Sequence, residues 1–274
     1  RGVEPGGRAL MAVRVVTDSS SGIPAKLAED LDITVLDLHV LEDEEASTSG
    51  LSALELAAAY ARQLERGGDD GIVALHLSKR LSSTWSAAVS ASAVFDDAVR
   101  VVDTDSAGMA VGAAAIAAAS FARAGADLDG CAAAAEAALA MSETWLYLRQ
   151  LDDMRKSGRL SATTAMLSAA LLATKPILRV NDGKLELAIK TRTQSKAFSK
   201  LVSHVVDRAD GMPVAAAVQY SGDADNAVTL KKLLEEALVT GSSVHLTPLT
   251  DAVAAHTGEG AIGLSVFYTT PAKD

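Results

Sequence analysis

The sequence predicts an α/β protein made of two α/β domains. The first is a parallel sheet flanked by helices; the second is a mixed or antiparallel sheet with helices. Three observations predict this. From Val13 to about residue 150, short β-branched runs alternate with stretches of helical length, the rhythm of βα units in which helices cross over between parallel strands. Beyond residue 150 the alternation stops, and an Asn-Asp-Gly turn between two apolar runs announces an antiparallel hairpin. Finally, 274 residues that are 49% hydrophobic can build one large core or two small ones. The domains are therefore set at 11–150 and 151–274, with 1–10 as an extension outside the fold and Met11 as the natural start.

The elements follow in order. "VRVVT" (13–17) is a strand, and "IPAKLAEDL" (23–31) is a helix with Pro24 near its first turn. "ITVLDLHV" (33–40) is a second strand, followed by an acidic loop, "LEDEEASTSG" (41–50). Ser52 and Glu55 have capping-box spacing and open a helix that runs to about Arg66. A strand at 71–77, a helix from Ser82 to Phe95, a strand at 99–103 and Ala-rich helices near 107–124 and 128–141 complete the first half. The second half begins with a strand, "WLYLR" (145–149), and two helices within 151–178 broken at Gly158. A hairpin (177–191), a helix (193–208), a strand (213–220), a helix (224–240) and a strand (242–248) follow. A Gly-rich turn and a last strand within 256–268 close the chain.

Composition narrows the function. The formal charge of −10 disfavours general binding to nucleic acid or to anionic lipid surfaces, both of which need clustered cations. The single cysteine, Cys131, lies in an Ala run and reads as a small buried hydrophobe; no internal disulfide is possible, and a reducing, cytoplasmic setting is expected. No apolar leader is visible in "RGVEPGGRAL", and the longest apolar run, 107–122, is too short and too rich in Ala and Gly to span a bilayer. There is no Walker-type phosphate loop, no G-x-S-x-G elbow, no H-E-x-x-H and no C-x-x-C. No metal site and no catalytic residue are expected.

Candidate binding residues sit at strand-to-helix corners. In parallel α/β folds ligands lie beyond the carboxyl ends of the strands, against helix N-termini that favour anions. "LSSTWSAA" places Ser82, Ser83 and Thr84 at such a corner, where one hydroxyl would suffice as a cap. "TDSSSG" supplies Ser19, and "STSG" supplies Thr48 and Ser49, at two further connections. Corners from one parallel sheet converge on one edge. In the second half, Arg159 in "SGRLS", Arg192 in "KTRTQSK" and His256 in "HTGEGAIG" are candidate partners for an anion.

Taken together, "VVTDSSSGIP", "TSGLS", "LSSTWSAA", "VVDTDSAGMAVG", "SGRLS", "KPIL", "GKLELAIKTRTQSKA" and "HTGEGAIGL" resemble the DegV family in order and spacing. The resemblance runs from Val13 to Leu264. It implies two α/β domains with a ligand between them, and a bacterial fatty-acid-binding protein, similar to the binding subunit of fatty acid kinase. Such a protein would hold one long-chain fatty acid in a buried tunnel and present its carboxylate to a separate kinase subunit for phospholipid synthesis. It would have no cofactor and no catalysis of its own. The resemblance puts the carboxylate-binding Thr at Thr48 and Ser at Ser82, the His at His256 and the Arg at Arg192. The sequence departs from the family pattern at Ser83, where a Gly is usual, at Trp85 and Ser86 in place of Tyr-Gln, at "TSGLS" in place of T-S-Q-P-S, and in a shorter loop over 41–47. The Ala-rich helices could leave room for the tunnel. A second reading, from another class, is an enzyme acting on a small phosphorylated or carboxylate substrate at the same cleft, and a third is an interaction protein with a dry interior.

Overall fold

Alternating burial builds the first sheet. Along β1 (Arg14–Asp18) and β5 (Ile72–Leu75) every side chain is buried, so neighbouring residues must enter different cores. Val15, Val73 and Leu75 enter one, and Val16, Ile72 and Ala74 enter the other. In this computed structural model, which describes residues 13–41, 47–67, 70–149, 151, 154–155, 158–165 and 174–270, these strands join β2 (Ile33–Leu36) and β6 (Val99–Val102). The order is β2-β1-β5-β6 and every pairing is parallel. Helices cover both faces, as a buried parallel sheet requires. Packed on one face are α1 (Ala25–Leu31), α4 (Met109–Arg123) and α5 (Leu128–Ala140); on the other lie α2 (Ala53–Gly67) and α3 (Thr84–Ser92).

The alanines of α4 have a definite role. Ala114, Ala115, Ala118 and Ala119 are fully buried in the core with Val15, Val73 and Cys131. Their small side chains bring α4 close to α5 and the sheet; they do not hollow out a tunnel. Cys131 is a free, buried thiol, and burial beside Asp127 pushes its pKa up.

The second sheet is mixed. β7 (Ser142–Tyr147), β8 (Lys175–Asn181), β9 (Lys184–Thr191), β10 (Ala215–Tyr220), β11 (Ser243–Pro248) and β12 (Ile262–Phe267) assemble in the order β11-β10-β12-β7-β8-β9. Among these six strands β10 and β11 pair in parallel and the other pairings are antiparallel. Because β7 pairs with β8 and β12, the change of sheet falls before Ser142, ahead of the expected division near residue 150. Helices α6 (Gln194–Ala209) and α7 (Asp225–Ala237) cover one face through Phe198, Leu201, Leu230 and Leu234. The opposite face carries Leu146, Leu178 and Leu185 and takes in Leu81 from the connection after β5, so the carboxyl end of the first sheet meets a face of the second.

Several local expectations meet the structure directly. The capping box forms: the Ser52 N–H donates to Glu55 Oε2 at 2.8 Å and the Glu55 N–H to Ser52 Oγ at 3.3 Å. The Ser52 hydroxyl, which donates to Glu55 Oε2 at 2.6 Å, together with the Ser52 N–H and His39, holds the Glu55 carboxyl down at about 2. The hairpin turns at Asp182 and Gly183, with φ of 46° and 73°, the left-handed pair that a two-residue loop needs. Gly183 is also a docking point. Its carbonyl accepts from Ser78 Oγ at 2.9 Å, and a Cβ there would lie 2.2 Å from that oxygen. Ser78 thus ties the hairpin of the second domain to the corner of the first.

Other local expectations change. The strand expected over 33–40 ends at Leu36 and resumes as β3 (His39–Leu41), which pairs antiparallel with β4 (Ser47–Ser49). Part of the expected acidic loop is therefore a small two-stranded ribbon; residues 42–46 lie outside the described residues. A short helix, α8 (Asp251–Thr257), precedes the Gly-rich turn and was not anticipated. The two helices expected within 151–178 fall largely outside the described residues.

Candidate functional site

Between the domains lies a cavity of about 300 Å³, at the lower end of the ~300–1,000 Å³ usual for ligand pockets. Its position follows from the topology. The connections leaving β1, β5 and β6 at their carboxyl ends contribute Ser20, Leu77 and Gly108, and the facing sheet contributes Leu146, Val180 and Leu185. Most of the lining is apolar.

The hydroxyl corners converge on this cavity. Thr48 and Ser49 come from β4, Ser82 and Ser83 from the approach to α3, Arg159 from the segment before residue 160, and His256 from α8. Thr48 Oγ1 hydrogen-bonds His256 Nε2, joining residues 208 positions apart. Ser82 Oγ lies 2.9 Å from Thr84 Oγ1 and receives the Thr84 N–H at 3.2 Å. Ser83 stands at the N-cap of α3 but makes no side-chain cap bond, leaving its exposed hydroxyl to the cavity mouth.

Gly50 makes this gathering possible. A Cβ at position 50 would lie 2.8 Å from Thr84 Oγ1, 2.9 Å from Ser83 Oγ and 3.1 Å from Ser82 Oγ. Only a residue without a side chain can rest on three hydroxyls at once. The departures at Ser83 and in "TSGLS" are thus coupled: a serine at 83 occupies space that a side chain at 50 would need.

The electrostatics favour an incoming anion. Burial lowers the pKa of His256, and the positive charge of Arg159 lowers it further. His256 is therefore neutral at pH 7. Arg159 Nε donates to the Leu81 carbonyl at 3.4 Å, which holds the side chain at the cavity wall.

Not every candidate arrives there. Arg192 is exposed on the turn after β9 and does not line the cavity. Thr84 is buried behind the lining, where Oγ1 accepts the Leu51 N–H at 3.3 Å and supports Ser82. Ser19 is also buried and accepts the Leu38 N–H at 3.0 Å; its neighbour Ser20 lines the cavity instead. A 3-10 turn over Ser19–Ser21 makes this exchange, because it rotates successive side chains to different sides.

Ser20 leads to a buried polar chain. Asp18 Oδ1 accepts the Ser20 N–H at 3.0 Å and the Ser20 hydroxyl; Oδ2 accepts the Leu77 N–H at 3.1 Å and faces His76 Nδ1 at 3.0 Å. His76 Nε2 then meets the Tyr60 hydroxyl at 3.2 Å. Burial, with the Asp18 charge, pushes the Tyr60 phenol up, so it stays protonated. With the His76 proton on Nδ1, every donor in the chain has an acceptor. Among the described residues no cluster of His, Cys, Asp and Glu could hold a metal ion, and no helix is long and apolar enough to cross a membrane.

Comparison with known proteins decides the family. The profile of the DegV family, described as "Uncharacterised protein, DegV family", matches residues 41–269. This chain belongs to the DegV family. A DegV domain-containing protein of Corynebacterium glutamicum is 57% identical over 266 residues, covering 96% of this chain and 97% of the relative. The crystal structure of a DegV family protein from that organism, also 57% identical, superposes with a TM-score of 0.92 over 95% of this chain and 99% of the other. A DegV family protein of Thermus thermophilus, described by its fatty acid binding, is 27% identical with a TM-score of 0.84 over 93% of this chain and 99% of its own. The α/β architecture of both sheets is thus the DegV architecture.

Two of the residues missed in the sequence carry a signal. Gln219 follows the apolar run "AAAV" and Ser265 is the polar position within "IGLSVF", whereas Thr144 follows Ser142 and Glu143 in "SETWLY" and does not stand out; all three line the cavity.

Proposed function

We propose that this protein is a non-catalytic carrier that holds one long-chain fatty acid between its domains and presents the carboxylate to a separate fatty acid kinase subunit. The observation that carries the reading is one apolar cavity whose polar side collects Thr48, Ser82, Ser83, Arg159 and His256. A buried carboxylate must be paired and hydrogen-bonded; the hydroxyls and the guanidinium meet that need. Each buried methylene adds about 0.8 kcal/mol, so a chain of about sixteen carbons has ample driving force. The exposed hydroxyl of Ser83 marks the polar side as the side a partner could reach. The fatty acid binding for which the Thermus thermophilus relative is described supports the same reading. The reading requires neither cofactor nor metal.

Native mass spectrometry of the purified protein, with lipid extraction of the same sample, tests it. A retained mass matching one fatty acid is expected. Ser82→Ala or Thr48→Ala should weaken binding by about 1–3 kcal/mol, the cost of leaving a charged group short of a partner. A protein that is empty and takes up no added fatty acid would contradict the proposal.

Binding should also take up a proton. In the free protein His256 titrates below its ordinary value of 6.5; a carboxylate beside it favours the imidazolium and raises that pKa. Affinity should therefore increase as pH falls through the window between the free and bound values, and stay flat above it. Calorimetry in buffers of different ionisation enthalpy reads the proton count. A His256→Asn variant should lose the slope, and an equally steep slope in that variant would remove His256 from the site.

A further inference from the structure

The carboxylate site uses only part of the polar lining of the cavity. A second set consists of Ser20, Thr144, Gln219 and Ser265, which are 2%, 9%, 2% and 1% exposed. Each already has a hydrogen bond within the protein, and a hydrocarbon chain offers nothing to the lone pairs and the N–H that remain. The arrangement of their protons shows what they can bond.

Asp18 can only accept, so Ser20 donates its proton to it and turns lone pairs to the cavity. Thr144 Oγ1 donates to the Ala107 carbonyl at 3.1 Å; the contact of 3.3 Å with Ser265 Oγ is then a bond from Ser265 to Thr144, which leaves Ser265 as an acceptor too. The Met109 N–H donates to Gln219 at 3.2 Å, which identifies the bonded atom as the carbonyl oxygen Oε1. The amide nitrogen of Gln219 therefore remains a donor, without a hydrogen-bond partner among the described residues. A point one Cβ bond above Gly108 lies 3.0 Å from Gln219 Oε1 and 3.6 Å from Ser265 Oγ, and one above Gly22 lies 2.1 Å from Gln219 Nε2, so the amide spans the space between the two glycines, with its oxygen toward Ser265.

Two acceptors and one donor lining one cavity match a group that both donates and accepts. An alkane or alkene matches none of them, and a ketone matches only Gln219. A second carboxylate would face the lone pairs of both serines, with Asp18 behind Ser20. We propose that the preferred ligand is a fatty acid bearing a hydroxyl along its chain, whose hydroxyl proton goes to Ser265 or Ser20 and whose oxygen accepts from Gln219. This rests on the carrier reading and names the ligand class within it.

The test is competitive displacement of a fluorescent fatty acid by stearic acid and by a positional series of monohydroxystearic acids. At least one isomer is expected to bind about tenfold more tightly than stearic acid, the worth of about one net hydrogen bond. Gln219→Met, which keeps length and removes the donor, should collapse that preference, and Ser265→Ala should reduce it if the first variant folds poorly. If every hydroxylated isomer binds no better than stearic acid, or the preference survives both substitutions, the proposal is overturned. If stearic acid and all its hydroxylated forms fail to bind, it is the carrier reading that falls.

Discussion

Arg159→Gln is expected to weaken fatty acid binding by about 2–3 kcal/mol, roughly 30- to 150-fold, because hydrogen bonds to charged groups are worth more than neutral ones. Among the described residues that line the cavity, Arg159 carries the fixed positive charge, and the pKa of His256 is lowered in the free protein by burial and by that charge. Without the guanidinium, the carboxylate would rest on the hydroxyls and on the proton that His256 takes up on binding. Arg159→Lys should recover part of the loss, since a lysine restores the charge without the planar fork. A second measurement separates an electrostatic role from a packing one. In the free protein, removing the guanidinium removes one of the two causes that depress His256, so its pKa should rise in Arg159→Gln. It should remain below 6.5, because burial is the larger cause and persists. Histidine titration by NMR reads this directly. Unchanged affinity together with an unchanged His256 would place the carboxylate elsewhere in the cavity.

How much of this was legible in the sequence depends on how local the signal is. Capping and turn chemistry are local, so Ser52, Glu55 and the Asp182–Gly183 turn could be read from their own neighbourhood. The βα rhythm is semi-local, and it gave the parallel sheet. The convergence of Thr48 with His256 spans 208 positions and is set only when the two domains pack. Residue type alone could not separate Arg159 from Arg192, both arginines in polar segments, since only the packing puts one at the cavity and the other on an exposed turn. The same holds for Ser19 and Ser20, adjacent residues that a 3-10 turn sends to different places. Gly50 was hidden for a different reason. Its importance lies in a side chain it lacks, and only the three oxygens around it show what a Cβ would strike.

The largest stability effect is expected at Asp18, which is fully buried on both sides of its pairing with His76. Asp18→Ala removes the acceptor for the Ser20 and Leu77 N–H groups, the Ser20 hydroxyl and His76 Nδ1. Removing one partner of a buried ionic or hydrogen-bonded network costs about 3–5 kcal/mol, because the others stay buried without it. At roughly 2–4 °C per kcal/mol for larger domains, thermal unfolding should move down by on the order of 10 °C. The exposed pair Lys26–Asp30, 84% and 56% exposed, provides the contrast: its removal should cost well under ~1 kcal/mol. A double-mutant cycle tests whether the chain acts as a unit. His76→Gln combined with Asp18→Asn should destabilise by less than the sum of the two single changes, since each alone strands the other's group. Strict additivity would mean that the two residues stabilise the sheet independently. In that case Ser20 would be held at the cavity wall by its own turn, with no support from the buried chain behind it.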